Sequence, residues 1–168
     1  MNLKFFKMAA DVVEPKYGTE KSACFDLSAW LKPNSNYDCY TPSNKKITIR
    51  SDENASLVIK PDDRVLVPTG LIFQIPEGFS LRVHMRSSVP LKQGLIMPNS
   101  EGIIDEDFFH MTHLILMNVL PLMSITIKNG DRLCQAELVP VIRNTFEQIF
   151  EAPTQSTNRV GGFGSTNG

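Results

Sequence analysis

The 168-residue chain has no apolar run long enough to cross a bilayer. Its most apolar stretch, Leu114 to Met123, is interrupted by Asn118 and Pro121, whereas a spanning helix needs about 20 apolar residues. The opening Met1-Asn2-Leu3-Lys4-Phe5-Phe6-Lys7 lacks the long apolar core of a secretory signal. Cysteine is scarce: Cys24, Cys39 and Cys134 are odd in number and far apart. They give neither a disulfide framework nor a zinc-ligand spacing, and they suit a reducing, cytoplasmic compartment. A basic patch is also missing. The formal net charge is −1, which argues against a binder of polymeric nucleic acid but leaves room for a single nucleotide. Neither a Gly-Lys-Ser/Thr phosphate loop nor a Gly-x-Ser-x-Gly nucleophile elbow occurs. Long helices are disfavoured by eleven prolines and by the absence of any sustained helical period with caps.

What remains is ordinary globular composition, 42% hydrophobic and 21% charged, enough for a single domain over residues 1–168 with its own core. Short runs rich in Val, Ile, Leu and Phe alternate with Pro, Gly, Asn and Asp, the pattern of an all-β sandwich or barrel. Asp63–Ile75, Phe79–Met85, Met111–Asn118, Met123–Ile127 and Arg132–Val139 read as strands. Pro-Glu-Gly at 76–78 and Lys-Asn-Gly-Asp at 128–131 read as hairpin turns. A short turn of helix is allowed after Arg86. Residues 33–55 are rich in Asn, Ser, Lys and Tyr with little alternation; they are expected as a surface insertion with a small hairpin around Ile47–Arg50, offering a contact to an unknown partner.

Three segments carry candidate chemistry. Arg82-Val83-His84-Met85-Arg86-Ser87-Ser88 ends a strand with a cation and two hydroxyls, and the planar fork of an arginine suits phosphate. Asn99-Ser100-Glu101-Gly102-Ile103-Ile104-Asp105-Glu106-Asp107-Phe108 brings carboxylates to a turn entering a strand. The C-terminal Arg159-Val160-Gly161-Gly162-Phe163-Gly164-Ser165-Thr166-Asn167-Gly168 offers backbone amides, hydroxyls, a guanidinium and an aromatic ring. With no helix after it, such a tail is expected to act as a mobile arm, about 157–168, folding over a flat anionic ligand. Taken singly, each segment reads as readily as a solvated turn or a polar end. His110 and His113, three apart, would sit on opposite faces of a strand and make a poor zinc pair. Trp30, Met97, Met111, Met117 and Met123 read as packing.

Together, five ordered blocks resemble the homotrimeric, all-β branch of the dUTPase family. They are Ser22-Ala23-Cys24-Phe25-Asp26-Leu27-Ser28-Ala29, Arg86-Ser87-Ser88-Val89, Asn99 to Phe108, Gly130-Asp131-Arg132-Leu133-Cys134-Gln135, and the tail. The resemblance covers the chain except residues 33–55. It implies a distorted jelly-roll or β-barrel with a C-terminal arm, and hydrolysis of dUTP to dUMP and pyrophosphate by water attack at the α-phosphorus. That reaction keeps uracil out of DNA and supplies dUMP for dTMP synthesis. It implies Asp105 as the base that activates the water and Asp26 as an outer-sphere partner of Mg²⁺, which keeps most of its waters on a triphosphate. A hairpin over Asn99–Asp105 would read uracil through Asn99 and the backbone of Gly102, Ile103 and Ile104. Phe108 would pack beneath deoxyribose. Arg86, Ser87, Ser88 and Gln135 would hold phosphates, Phe163 and Gly164 would close over the base, and Arg159, Ser165 and Thr166 would hold the γ-phosphate. The active sites of a homotrimer would be shared between subunits.

The chain departs from the family pattern in four places. Phe108 stands where a tyrosine is usual, so a ring is kept and a hydroxyl lost. Phe109-His110-Met111 replaces an Arg-Gly-Glu-like continuation near a subunit contact. The 33–55 segment is unusually large. Only three residues separate Arg159 from Phe163, where four are usual. Either Arg159 reaches through a tighter loop, the reading favoured here, or Asn158 takes its place and the cation is lost. Two other readings share the scaffold. A dCTP deaminase would need a glutamate base just before Asn118, where Leu114-Ile115-Leu116-Met117 offers none. A dUTP-sensing regulatory protein is compatible with retained hydrolysis.

Overall fold

Period-two alternation builds most of the molecule. In His113–Asn118, buried Leu114, Leu116 and Asn118 alternate with residues facing outward, and Asn36–Tyr40 buries only Tyr37 and Cys39. The computed structural model describes residues 2–157. In chain order its elements are β1 (Lys4–Lys7), β2 (Lys16–Tyr17), β3 (Phe25–Ser28), β4 (Asn36–Tyr40), β5 (Lys46–Arg50), β6 (Ser56–Ile59), β7 (Arg64–Pro68), β8 (Leu71–Gln74) and β9 (Phe79–Met85). There follow α1 (Ser88–Gln93), β10 (Leu95–Ile96), β11 (Gly102–Ile104), β12 (His113–Asn118), β13 (Ile125–Lys128) and β14 (Arg132–Pro140).

Two five-stranded sheets dominate, ordered β10-β12-β7-β4-β5 and β11-β9-β14-β3-β2, with two-stranded pairs β1-β8 and β13-β6 beside them. Every pairing is antiparallel. The fold is therefore all-β and jelly-roll-like. Among the described residues both large sheets keep free edges, and no closed barrel forms. One core joins Phe25 and Leu27 of β3 and Leu81 and Val83 of β9 to Val65 and Val67 of β7 and Leu114 and Leu116 of β12. Burying each such side chain contributes roughly 1.5–3 kcal/mol. Trp30 belongs to this core, with its indole N–H donated to Asp11 at 3.3 Å. Among the described residues no helix is long and apolar enough to cross a membrane.

Several expectations are corrected. The turn at 76–78 joins β8 to β9 and that at 128–131 joins β13 to β14, yet neither pair is hydrogen-bonded together. Both turns move the chain between sheets, which local turn chemistry cannot distinguish from a hairpin. The run Asp63–Ile75 divides at Thr69-Gly70, where Gly70 has φ +72° and a Cβ would lie 2.5 Å from Val12 and 2.9 Å from Trp30. Residues 33–55 do contain a hairpin, β4–β5, but it is no mere surface appendage. β4 pairs with β7, and Tyr37, Cys39, Ser51 and Ala55 are buried. Exposed Asn, Ser and Lys between those few inward positions had hidden the alternation. His110 precedes β12 rather than lying in it, so strand parity does not relate it to His113.

Candidate active site

The sheet β11-β9-β14-β3-β2 carries the candidate residues along its edge and ends. β11 pairs with β9, Gly102 opposite Val83 and Ile104 opposite Leu81. The segment expected to read uracil is thus not a self-contained hairpin. It is a loop that leaves β10 in one sheet and enters β11 in the other. Gly102 is closely packed there: a Cβ would stand 3.2 Å from the Val83 side chain and 3.4 Å from that of Met97, so these neighbours would have to give by a few tenths of an ångström. Asp105 follows β11 directly, exposed, with its carbonyl accepting the Phe108 amide at 3.1 Å. Asn99 donates its side-chain amide to the Glu101 carbonyl at 3.0 Å, which fixes the loop's entry.

Asn99, Gly102, Ile103, Ile104, Asp105 and Phe108 line one groove of about 350 Å³. Its floor is apolar, with Val83, Met97, Met111 and Ile115. Met97 and Met111, read from sequence as packing, thus also shape the groove. Phe108 is partly exposed and meets His110 edge-on, ring centroids 5.5 Å apart.

A second cleft, about 400 Å³, gathers Asp26, Arg86, Ser87, Ser88 and Gln135 with Gly18, Ser22 and Cys24. Phe25 and Leu27 point into the core, so Asp26 emerges on the opposite face of β3. Its Oδ1 accepts from Arg86 Nε at 3.0 Å and its Oδ2 from Arg132 Nη1 at 3.1 Å. Arg86 Nη1 also donates to the Arg132 carbonyl at 3.3 Å. Arg132 was not assigned a role from sequence, although it lies in the quoted Gly130–Gln135 block. Gln135 is opposite both Asp26 and His84 in register, and its amide donates to the Met85 carbonyl at 3.2 Å. Ser87 begins α1 without a side-chain cap, which leaves its hydroxyl for a ligand. Between groove and cleft, Arg82 pairs with Glu101 at 2.9 Å, and His84 Nε2 lies 3.4 Å from Glu137 and 3.8 Å from Glu101.

The two halves do not meet within one chain. Asp105 stands beside the start of β9, and Arg86 follows its end. Six residues of strand separate them, about 20 Å at 3.3 Å per residue. Reacting groups must approach to about 3–3.5 Å. Arg159, Phe163, Gly164, Ser165 and Thr166 lie outside the described residues.

Among the described residues no three His, Cys, Asp or Glu side chains converge on a point that could hold a metal ion. Asp26 is the one carboxylate of the Arg-Ser-Ser cleft, and both its oxygens already accept from arginines. Each retains a lone pair for a water. The donor set therefore fits an ion held by its ligand's oxygens and by waters, and not one caged by protein.

An antiparallel jelly-roll with an apolar, carboxylate-tipped groove and a separate Arg-Ser-Ser cleft is a scaffold for a ligand with one flat end and one anionic end. The dUTPase family model matches residues 52–167, and the chain belongs to the dUTPase family. The deoxyuridine 5′-triphosphate nucleotidohydrolase of Dinoroseobacter shibae is 34% identical over 152 residues, 90% of this chain and 86% of that protein. The protein of the same name from the Wolbachia of Brugia malayi is 32% identical over 99% of this chain and 92% of its own length. Among solved structures, the dUTPase of Staphylococcus bacteriophage 80alpha with dUPNHPP superposes with TM-score 0.75 at 18% identity, covering 98% of each chain. A mutant dUTPase from phage phi11 of S. aureus, solved with a structural Mg(II) ion, gives 0.70 at 17% identity over 92% of this chain and all of that one.

Proposed function

We propose that this protein hydrolyses dUTP to dUMP and pyrophosphate at sites shared between the subunits of a homotrimer. The observation that carries this reading is the pairing of Asp105 with an apolar groove and of Arg86, Ser87, Ser88 and Gln135 with a polar cleft. In the proposal, uracil lies along Gly102–Ile104, where backbone groups and Asn99 match its donors and acceptors. A cytosine there would leave buried polar groups unpaired, which costs about 1–3 kcal/mol for each orphaned group. Phe108 packs against the sugar and disfavours a ribose 2′-hydroxyl. The phosphates lie against Arg86, whose guanidinium is aimed by Asp26, and against the hydroxyls of Ser87 and Ser88. Asp105 orients and deprotonates the water that attacks the α-phosphorus.

The separation of Asp105 from Arg86 supports the shared site, because one chain cannot bring both to one phosphorus. Mg²⁺ bound by the phosphates would neutralise their charge, with Asp26 accepting from a metal-bound water. The arm residues Arg159, Phe163, Gly164, Ser165 and Thr166 are assigned to closing the site. The function fits a protein acting in the cytoplasm on free nucleotides. Pyrophosphate release tests the reading, using dUTP, UTP, dTTP and dCTP, with and without Mg²⁺. Selective dUTP turnover is expected, and Asp105→Asn should lower kcat by a factor of about 10²–10⁴, the range of a lost general base, while dUTP still binds. Unchanged turnover in Asp105→Asn would remove Asp105 as the base, and ammonia release from dCTP would make the protein a deaminase.

A further inference from the structure

Beside Asp105 stands a carboxylate that no part of the proposed chemistry uses. Glu106 is half-buried, and its two oxygens are spent on two different segments. Oε2 accepts the backbone N–H of Gly78 at 2.6 Å, and Oε1 accepts from Arg143 Nη2 at 2.7 Å. Gly78 belongs to the turn that leads into β9, and Arg143 lies three residues past β14, at the stem of the C-terminal segment. The Gly78 carbonyl in turn accepts the N–H of Val141 at 2.8 Å. Three segments distant in sequence thus close on one point: the stem of the arm, the β8–β9 turn and the loop that carries Asp105.

The arrangement is built rather than incidental. Gly78 holds φ +77°, a conformation that presents its N–H to one side and its carbonyl to the other, and that only glycine adopts freely. The Gly78 hydrogen bond first, and the Arg143 guanidinium after it, hold the Glu106 carboxyl below its ordinary range, so it is anionic at neutral pH. Arg143 is itself well exposed. An exposed pair alone contributes little, but here it is backed by two backbone bonds to the same turn.

We infer that Glu106 is a positioning residue that couples the stem of the C-terminal arm to the placement of Asp105. The inference rests on the reading of Asp105 as the base. A carboxylate that must hold a water for in-line attack is sensitive to shifts of a fraction of an ångström, and misplacement by 1 Å can cost about 10²-fold in rate. Anchoring the neighbouring residue to two separate segments supplies that precision, and it lets strain in the arm's stem reach the Asp105 loop through Arg143 and Gly78. Nothing in the clasp touches the groove or the cleft, so it should act on turnover and not on ground-state binding.

The test is a double-mutant cycle on the full-length protein, with kcat, KM for dUTP and thermal midpoint measured for Glu106→Ala, Arg143→Ala, the double variant and Arg143→Lys. Glu106→Ala should lower kcat about tenfold with KM within about twofold, the signature of an interaction that matters only in the transition state. Arg143→Ala should lower kcat about threefold, and the double variant should be no slower than Glu106→Ala alone, because coupled partners are non-additive. Arg143→Lys should restore near-normal kcat. Additive losses, a rise in KM without a fall in kcat, or full turnover in Glu106→Ala at a normal thermal midpoint would each overturn the coupling. Failure of the underlying reading shows separately, as an active Asp105→Asn.

Discussion

Asp26 and Glu106 divide the labour of charge in this molecule. Asp26 uses two oxygens to hold two arginines, of which Arg86 lines the cleft, and Glu106 uses two oxygens to tie the Asp105 loop to the rest of the chain. The second carries a definite pH signature. The folded-state pKa of Glu106 lies below that of the unfolded chain, so the clasp contributes fully above the ordinary Glu range and is lost as pH falls through the depressed folded value. The stability difference between wild type and Glu106→Gln, measured by urea denaturation, should therefore hold from pH 7 to the ordinary carboxylate range and shrink only below it. A difference that grows on acidification would mean that Glu106 is not anionic and bonded in the folded state. Cys134, by contrast, is an inert residue of the core: burial alone pushes its thiol up to about 12.

Among the elements, the turns decide where strands go. Gly70 and Gly78 both adopt left-handed backbone, but their surroundings differ. A Cβ at Gly70 would strike Val12 and Trp30, whereas at Gly78 nothing lies within 4 Å. Gly78→Ala should cost only the backbone strain, roughly 1–2 kcal/mol, together with any loosening of the clasp. Gly70→Ala should add an overpacking cost of roughly 1–3 kcal/mol to the same strain. Chemical denaturation of both variants checks the difference, and equal losses would mean that the Val12–Trp30 contact yields freely. At this scale the sequence was most legible and also most misleading. Strand identity came through wherever apolar residues were dense between turn residues, as in β12 and β14, and the Arg86 and Asp105 blocks could be placed because their residues are contiguous. The sheet partners could not be read, because the turns at 76–78 and 128–131 have hairpin chemistry and join strands of different sheets. A hairpin was legible around Ile47–Arg50, but the half-buried β4 was hidden because its outward positions are so polar. The Glu106–Gly78–Arg143 clasp joins residues 28 and 37 positions apart through one carboxylate, which no local pattern announces.

For the molecule as a whole, the decisive fact is that the Asp105 groove and the Arg86 cleft stand about 20 Å apart along β9. The groove with Asp105 and the cleft with Arg86 are separated by the length of β9 and share no lining residue. On the proposed shared site, a chain would be inactive alone and become an enzyme only by assembly, each site taking Asp105 from one copy and Arg86 from another. Closed cyclic symmetry satisfies that requirement for every copy at once. The consequence is measurable by complementation. Asp105→Asn and Arg86→Ala chains should each form assemblies with almost no turnover, because every site lacks one essential group. Co-expressed in equal amounts, they mix at random, and a site is competent when the copy giving Asp105 and the copy giving Arg86 are both intact there. About one site in four then meets both conditions, so the mixture should recover about a quarter of wild-type activity, as expected for heterologous interfaces in a closed ring. Two dead variants that restore activity on mixing can do so only through sites that cross between chains. If the mixture stays as inactive as its components while size-exclusion chromatography shows mixed assemblies, Asp105 and Arg86 serve the same site from one chain and the shared arrangement is wrong.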